Sequence, residues 1–222
     1  MSTGWSAPVH RGPRDDFGAR LAELVAGSVH QLVSAGDRNH VEERHILECE
    51  ELAERMGPLR GRWLDLGTGG GLPGLVLAHR HPAADWVLVD ATAKKVEEVR
   101  RFAEVLGVRC HVVQGRAEEL AREVAWRGKF EGVVARAVAP LPTLVELARG
   151  FLPEGGVLVA LKGAQWEREV NDSDAALART RMRIDAVESS GTGGGSVIWV
   201  RAEGSVPERV PRRTGVPARR PL

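Results

Sequence analysis

The chain has 222 residues, of which 43% are hydrophobic and 27% charged, a globular balance that excludes disorder throughout. That length supports one domain with a substantial core and not two. A formal net charge of +1 excludes a uniformly basic or acidic protein, so any nucleic-acid surface has to be local.

Residues 1–16 mix Gly, Pro, Ser and charges and read as a loose arm. From Phe17 the apolar positions Leu21, Leu24, Val25, Val29, Leu32 and Val33 recur at steps of three and four, predicting a helix that Gly36 ends. A second helix is expected over Val41–Met56, stopped by Gly57-Pro58, with Ile46, Leu47, Ala53 and Met56 inward. Its six glutamates are expected to face solvent. Together these make an N-terminal helical extension over 17–57.

The core, 58–206, alternates short apolar runs with helical stretches. Strands are expected at Trp63–Leu66, Trp86–Val89, Cys110–Val113, Phe130–Ala135 and Gly156–Leu161. Helices are expected near 73–81, 94–106, 118–124 and 141–149. Apolar strands separated by helices imply crossover connections and a mostly parallel sheet covered on both faces. Arg183–Glu188 and Ser196–Arg201, joined through Gly191–Gly195, read as an antiparallel hairpin at the sheet edge. The final segment, 207–222, is expected to be irregular. From Arg209 onward it holds five arginines (Arg209, Arg212, Arg213, Arg219 and Arg220) and no acid. Such a basic run is a candidate RNA-binding surface.

The sharpest local signal is Leu64-Asp65-Leu66-Gly67-Thr68-Gly69-Gly70-Gly71-Leu72-Pro73-Gly74, a strand running through glycines into a helix. Glycines let the chain turn and let a ligand approach the backbone. Gly69, Gly71 and Gly74 match the dinucleotide pattern formally. However, the glycines begin earlier, at Gly67, and Asp65 stands before them. A carboxylate there repels a pyrophosphate and suits the cationic amino-acid and sulfonium end of S-adenosylmethionine. Asp90, closing the second strand, can accept from ribose hydroxyls, or alternatively cap the helix carrying Lys94 and Lys95. Gly115-Arg116-Ala117-Glu118 falls where adenine would lie, with Glu118 read equally as a first-turn helix carboxylate. Arg136, after a strongly apolar strand, points to a phosphate or a base edge, or to an ion pair with Glu118 or Asp90. Lys162 is a second cation on the same rim.

Neither Cys49 nor Cys110 has a partner at metal-ligand spacing, so no metal site is expected. The N-terminal stretch Met1–Arg20 lacks an apolar signal core, and no run of 18 apolar residues occurs. A cytoplasmic protein without a membrane span is expected. There is no tyrosine and no Asp-Pro-Pro-Tyr or Asn-Pro-Pro-Tyr pattern of amino methylation. The endocyclic N7 of guanine, whose lone pair needs no deprotonation, is an acceptor compatible with that absence.

The residues Glu43-Arg44-His45-Ile46-Leu47, the glycine loop with Leu72-Pro73-Gly74, Ala135-Arg136-Ala137-Val138-Ala139-Pro140-Leu141, Leu161-Lys162-Gly163 and Pro211–Leu222 resemble the bacterial RsmG family, also called GidB. The resemblance covers roughly residues 20–222. It implies a class I, Rossmann-like methyltransferase fold and transfer of a methyl group from S-adenosylmethionine, giving S-adenosylhomocysteine, to N7 of guanine 527 in 16S ribosomal RNA. A monomer is expected, with 16S ribosomal RNA as its partner, either free or within the small subunit or an assembly intermediate. The cofactor positions it implies, with the loop reading above, are Asp65, Gly67, Thr68, Gly69, Gly71, Leu72, Asp90, Ala117, Glu118 and Arg136. His45, Arg136 and Lys162 fall at active-site positions. Arg44, His45, Lys162 and the five terminal arginines fall on the RNA-facing side. The chain departs from the family pattern at Arg38-Asn39-His40-Val41, at Glu48-Cys49 and at Ala91-Thr92-Ala93.

Overall fold

The structure, a computed structural model, describes residues 16–30, 32, 40–190 and 195–222. The expected arm apart from Asp16, the first helix beyond residue 32, Arg38-Asn39 and the glycine turn at 191–194 lie outside the described residues.

Two helical elements precede the sheet. Helix α1, Phe17–Gly27, buries Phe17, Leu21, Ala22 and Val25 on one face. It ends well before Gly36, and Val29 is exposed. The next helix begins as a π-helical turn, Val41–Ile46, and continues as α2, Leu47–Met56. The wider turn shifts the angular register, so Leu47 points to solvent and Ile46, Cys49, Leu52 and Ala53 point inward. The expectation that Leu47 faces the core is thereby corrected. So is the expectation that all six glutamates are solvated, since Glu48, Glu50 and Glu51 are half-buried.

Strands β1 (Arg62–Leu66), β2 (Asp85–Asp90), β3 (His111–Gln114), β4 (Gly132–Arg136) and β5 (Val157–Lys162) are parallel. Strands β6 (Met182–Ser189) and β7 (Ser196–Ala202) add antiparallel, completing the order β3-β2-β1-β4-β5-β7-β6. Between them run α3 (Gly74–Arg80), α4 (Ala93–Leu106), α5 (Ala117–Leu120), α6 (Leu141–Arg149), α7 (Trp166–Asn171) and α8 (Asp174–Thr180). The pleat sends alternate residues to opposite faces. Trp63, Trp86 and Leu88 join α1, α2, α3 and α4 in one core, whereas Leu64, Leu66, Val87 and Val89 join α5 and α6 in the other. Both faces are covered, so the strands read as apolar runs and not as alternation. Phe130, expected to start the fourth strand, is fully buried just before it. The expected helix at 118–124 is shorter, and Val124 is exposed.

Helix α6 is buried on every side, Glu146 and Arg149 included. A helix with no wet face needs cover on its outer side. That cover comes from α7 and α8 and from the terminal segment, which contains buried Val210, Pro211 and Pro217 and a short helix, α9, Val216–Arg219. Among the described residues Arg149 donates to three carbonyls, those of Thr180, Leu152 and Gly204. Burial pulls its guanidinium down to about 10.

Candidate active site

The chain reverses its crossover direction at β1, which lies between β2 and β4. In open α/β sheets, ligands bind beyond the carboxyl ends of the strands at such a point. Here a cleft of about 320 Å³ opens, lined by Leu66 at the end of β1 and Gly67 just after it, by Asp90 from β2 and by the 115–118 and 137–139 stretches, among others.

Gly67 sits at φ +71°, and a Cβ there would meet the Val138 side chain at 2.7 Å. A larger residue would push the two sides of the cleft apart. Thr68 N–H donates to the Val89 carbonyl at 2.8 Å, tying the turn to β2. Asp90 is held by two amides, Gly69 N–H to Oδ2 at 3.0 Å and Thr92 N–H to Oδ1 at 2.8 Å. Each carboxylate oxygen has two lone pairs, so each keeps one for a ligand in the cleft. An oriented carboxylate of this kind fits a ribose diol, and the apolar Leu66, Val89, Val138 and Leu147 fit a nucleobase.

Asp65 is placed differently from the sequence expectation. Its carboxyl is fully buried, and Oδ2 accepts from Gly74 N–H at 2.9 Å, at the start of α3. It braces the loop from behind and does not line the cleft. Burial pushes it up to about 6, opposed by the Thr68 hydroxyl and the Gly74 amide. A space-filling reason accompanies the bond: a Cβ on Gly74 would collide with Asp65 and with Leu88.

The opposite lip is made where β4 ends. Ala137 adopts φ +54°, a strained conformation for a residue with a Cβ, and it lines the cleft. Arg136 before it turns toward the helical extension. Its Nη1 lies 2.9 Å from His45 Nδ1 and 3.6 Å from Glu48 Oε2. Arginine only donates, so His45 Nδ1 is the acceptor and the neutral ring carries its proton on Nε2. The carboxyl of Glu48 is raised above the ordinary value by burial, with Arg136 pulling the other way. The partners anticipated for Arg136, Glu118 or Asp90, are replaced by His45 and Glu48.

Lys162 is not an open cation on the rim. Its side chain is buried, donating to the Ala139 carbonyl at 2.8 Å and pairing with Glu169 at 2.6 Å. Glu169 also accepts from Leu141 N–H at 2.7 Å. Lys162 and Glu169 thus clamp the 139–141 stretch that follows Arg136. Cys49, buried beneath the extension, is pushed up to about 12 by burial, so it is no nucleophile at neutral pH.

Of the remaining sequence candidates, Ala117 and Glu118 line the cleft. Glu118 Oε1 accepts from Gly215 N–H at 2.9 Å and lies 3.6 Å from Arg116. Thr68 and Leu72 are buried behind the loop, and Gly69 and Gly71 shape it with φ +57° and +88°. Arg44 is exposed on the π-helical turn. Arg209, Arg213, Arg219 and Arg220 are exposed, but Arg212 is committed to buried Glu146 through Nη2 to Oε2 at 2.6 Å. That correction has a simple cause: a carboxylate inside α6 requires a cation. Glu48, Glu169, Lys95 and Ala218 were missed at the site. Glu48 had a readable signal, lying three residues after His45 on the same helical face. The other three are set by tertiary packing.

Among the described residues no group of three or more His, Cys, Asp or Glu could hold a metal, and no helix is long and apolar enough to cross a membrane. This sheet order, with a glycine turn and an anchored carboxylate at its switch point, defines a class I S-adenosylmethionine-dependent methyltransferase. Solved structures share the fold. An MtNAS variant in complex with S-adenosylmethionine superposes with TM-score 0.60 at 17% identity, over 85% of this chain and 72% of that one. The ribosomal protein L11 methylase of Lactobacillus delbrueckii gives 0.54 at 19% identity, over 70% and 77%. More specifically, the chain belongs to the GidB family, rRNA small subunit methyltransferase G, which matches residues 19–196. Relatives named ribosomal RNA small subunit methyltransferase G include one from Roseiflexus castenholzii, 32% identical over 100% of this chain and 97% of its own length. Another, from Deinococcus radiodurans, is 41% identical over 94% and 85%.

Proposed function

We propose that this chain transfers the methyl group of S-adenosylmethionine to N7 of a guanine in 16S ribosomal RNA, at the position corresponding to 527. The observation that carries the reading is a single cleft with the doubly anchored Asp90 on one side and Ala137, following Arg136, on the other. The cofactor supplies a methyl group on a positively charged sulfur. Asp90 binds the ribose with its remaining lone pairs, and Gly67 admits the cofactor close to the backbone.

Guanine N7 has a free lone pair, so the chain need not remove a proton before transfer. Its task is alignment and exclusion of water. Arg136 has donors beyond those spent on His45 and Glu48, and guanine offers O6 and N7 acceptors on one edge. His45 orients the Arg136 guanidinium through its Nδ1. Lys162 is a positioning residue in this scheme, holding the Ala139 carbonyl so that the lip keeps its shape. Exposed Arg44, Arg209, Arg213, Arg219 and Arg220 contribute sequence-independent phosphate attraction. The protein acts as a cytoplasmic monomer without a metal.

The test is methyl transfer to 16S RNA and to 30S particles, with the product mapped to base and atom. Methylation at guanine N7 is expected; labelling confined to a small metabolite overturns the substrate. Asp90→Ala should weaken S-adenosylhomocysteine binding about tenfold to a hundredfold, the scale of a lost charged hydrogen bond. Unchanged calorimetric affinity would remove Asp90 from the cofactor site.

A further inference from the structure

The terminal segment carries exposed arginines on one side and, on the other, makes contacts with the interior of the protein. Arg212 grips the carboxylate of Glu146 on α6 three times: backbone N–H to Oε1 at 2.8 Å, Nε to Oε1 at 2.8 Å and Nη2 to Oε2 at 2.6 Å. Glu146 is fully buried. Three residues on, Gly215 N–H donates to Glu118 Oε1 at 2.9 Å, and Glu118 is itself a cleft-lining residue. The Thr143 hydroxyl, from another residue of the cleft lining, donates to the Pro217 carbonyl at 3.2 Å. Ala218 then emerges as part of the cleft wall. Upstream, Arg122 and Arg127 donate to the carbonyls of Pro211, Val210 and Pro207. The segment is therefore anchored along its length, and its far end reaches the ligand cleft.

We infer that residues 210–218 are a wall of the cofactor site, with Glu146 and Glu118 as the positioning residues that seat Ala218 over the adenine side of the cleft. This rests on the cleft being the S-adenosylmethionine site. A buried carboxylate leaves water only against strong compensation, and Arg212 supplies it with bidentate geometry. The strap is thus held from inside the protein, and its position is insensitive to whether RNA is bound. Glu118 has a double role: its side chain sets Gly215, while its own residue borders the ligand. The exposed Arg213, Arg219 and Arg220 on the same segment leave an outer face for phosphate, separate from the inner one.

The deciding comparison sets Ala218→Trp, Glu146→Gln and a double Arg219→Gln, Arg220→Gln variant beside the full-length wild type. Calorimetry would give S-adenosylhomocysteine affinity, steady-state kinetics the KM and kcat for S-adenosylmethionine, and thermal unfolding the fold. Ala218→Trp, at an exposed position facing the cleft, should fold normally and weaken S-adenosylhomocysteine at least about tenfold. Glu146→Gln should raise the KM for S-adenosylmethionine more than it lowers kcat, because a displaced wall removes binding common to ground and transition states. Combining Arg212→Met with Glu146→Gln should not restore that KM even if it restores stability, since a position and not merely a charge has been lost. The double arginine variant should leave S-adenosylhomocysteine affinity unchanged. If Ala218→Trp binds S-adenosylhomocysteine as wild type does, the inference is overturned and the segment is only cover for α6. Failure of the wild type itself to bind would instead bring down the cleft assignment beneath it.

Discussion

Two arginine–glutamate pairs differ in kind. At the end of β4, Arg136 meets Glu48 at 3.6 Å and His45 at 2.9 Å, with both carboxylate and guanidinium partly accessible. On α6, Glu146 receives three donors from Arg212 and has no exposure at all. The first pair leaves guanidinium donors unspent, and the proposed mechanism turns them toward the substrate. The second holds one carboxylate with three donors and fixes the terminal segment to α6. Identical side chains acquire different functions because burial sets how many hydrogen bonds each must find within the protein.

The largest effect should come from breaking the outer pair on the arginine side. Arg136→Ala is expected to slow methyl transfer about 1000-fold, or ~4 kcal/mol, while costing only about 1 kcal/mol of stability. Glu48 limits that cost, since burial already raises its pKa and it can take up a proton once Arg136 is gone. Single-turnover rates beside urea titrations would check this; equal losses in both would make the two pairs alike. Glu146→Ala should do the reverse, with a stability loss of about 3 kcal/mol by urea titration, because it removes all three hydrogen bonds that hold Arg212 and leaves a gap inside buried α6. A loss below about 0.5 kcal/mol would show that the inner pair is no anchor.

Asp65→Asn sharpens the comparison with a buried carboxyl held by an amide in place of a guanidinium. Its folded-state pKa is raised to about 6, so the folded protein holds that proton more tightly than the unfolded chain. Its contribution is therefore full below the ordinary carboxylate value and is lost as pH rises through about 6, amounting to at most about 3 kcal/mol. Melting curves between pH of about 4 and about 7 should show wild type losing stability relative to Asp65→Asn; parallel curves would contradict the assignment. The smallest effect belongs to the exposed charges. Replacing Arg213, Arg219 and Arg220 by Gln should weaken 16S RNA binding by no more than about tenfold and flatten its salt dependence, with no change in S-adenosylhomocysteine affinity. An unaltered salt slope would remove them from the RNA surface.

The alternation of strands and helices was legible because each parallel strand carries a short apolar run and glycine or proline interrupts most of the connections. The glycine loop was legible too, since only a few backbone geometries let a strand turn so tightly into a helix. Helices α7 and α8 were not anticipated: α7 buries no residue completely, and α8 buries only Ala176 and Thr180, so neither leaves a strong periodic stripe. The π-helical turn was invisible for a related reason, because one widened turn shifts Leu47 outward without altering composition. Glu169 carried no pattern of its own and became visible only beside Lys162.

The order of residues alone determined the parallel α/β class, the position of the cleft after β1, and Asp90 as a residue lining it. Those depend on periodicity and turn chemistry, which act over a few neighbours. Tertiary structure alone decided which charges are spent and which are available: Asp65 behind the loop, Lys162 in a clamp, Arg212 on Glu146. Lys162 meets the Ala139 carbonyl across 23 residues and Arg212 meets Glu146 across 66. The strength of a charged contact depends on how much water folding removes around it, a quantity no local stretch of chain contains.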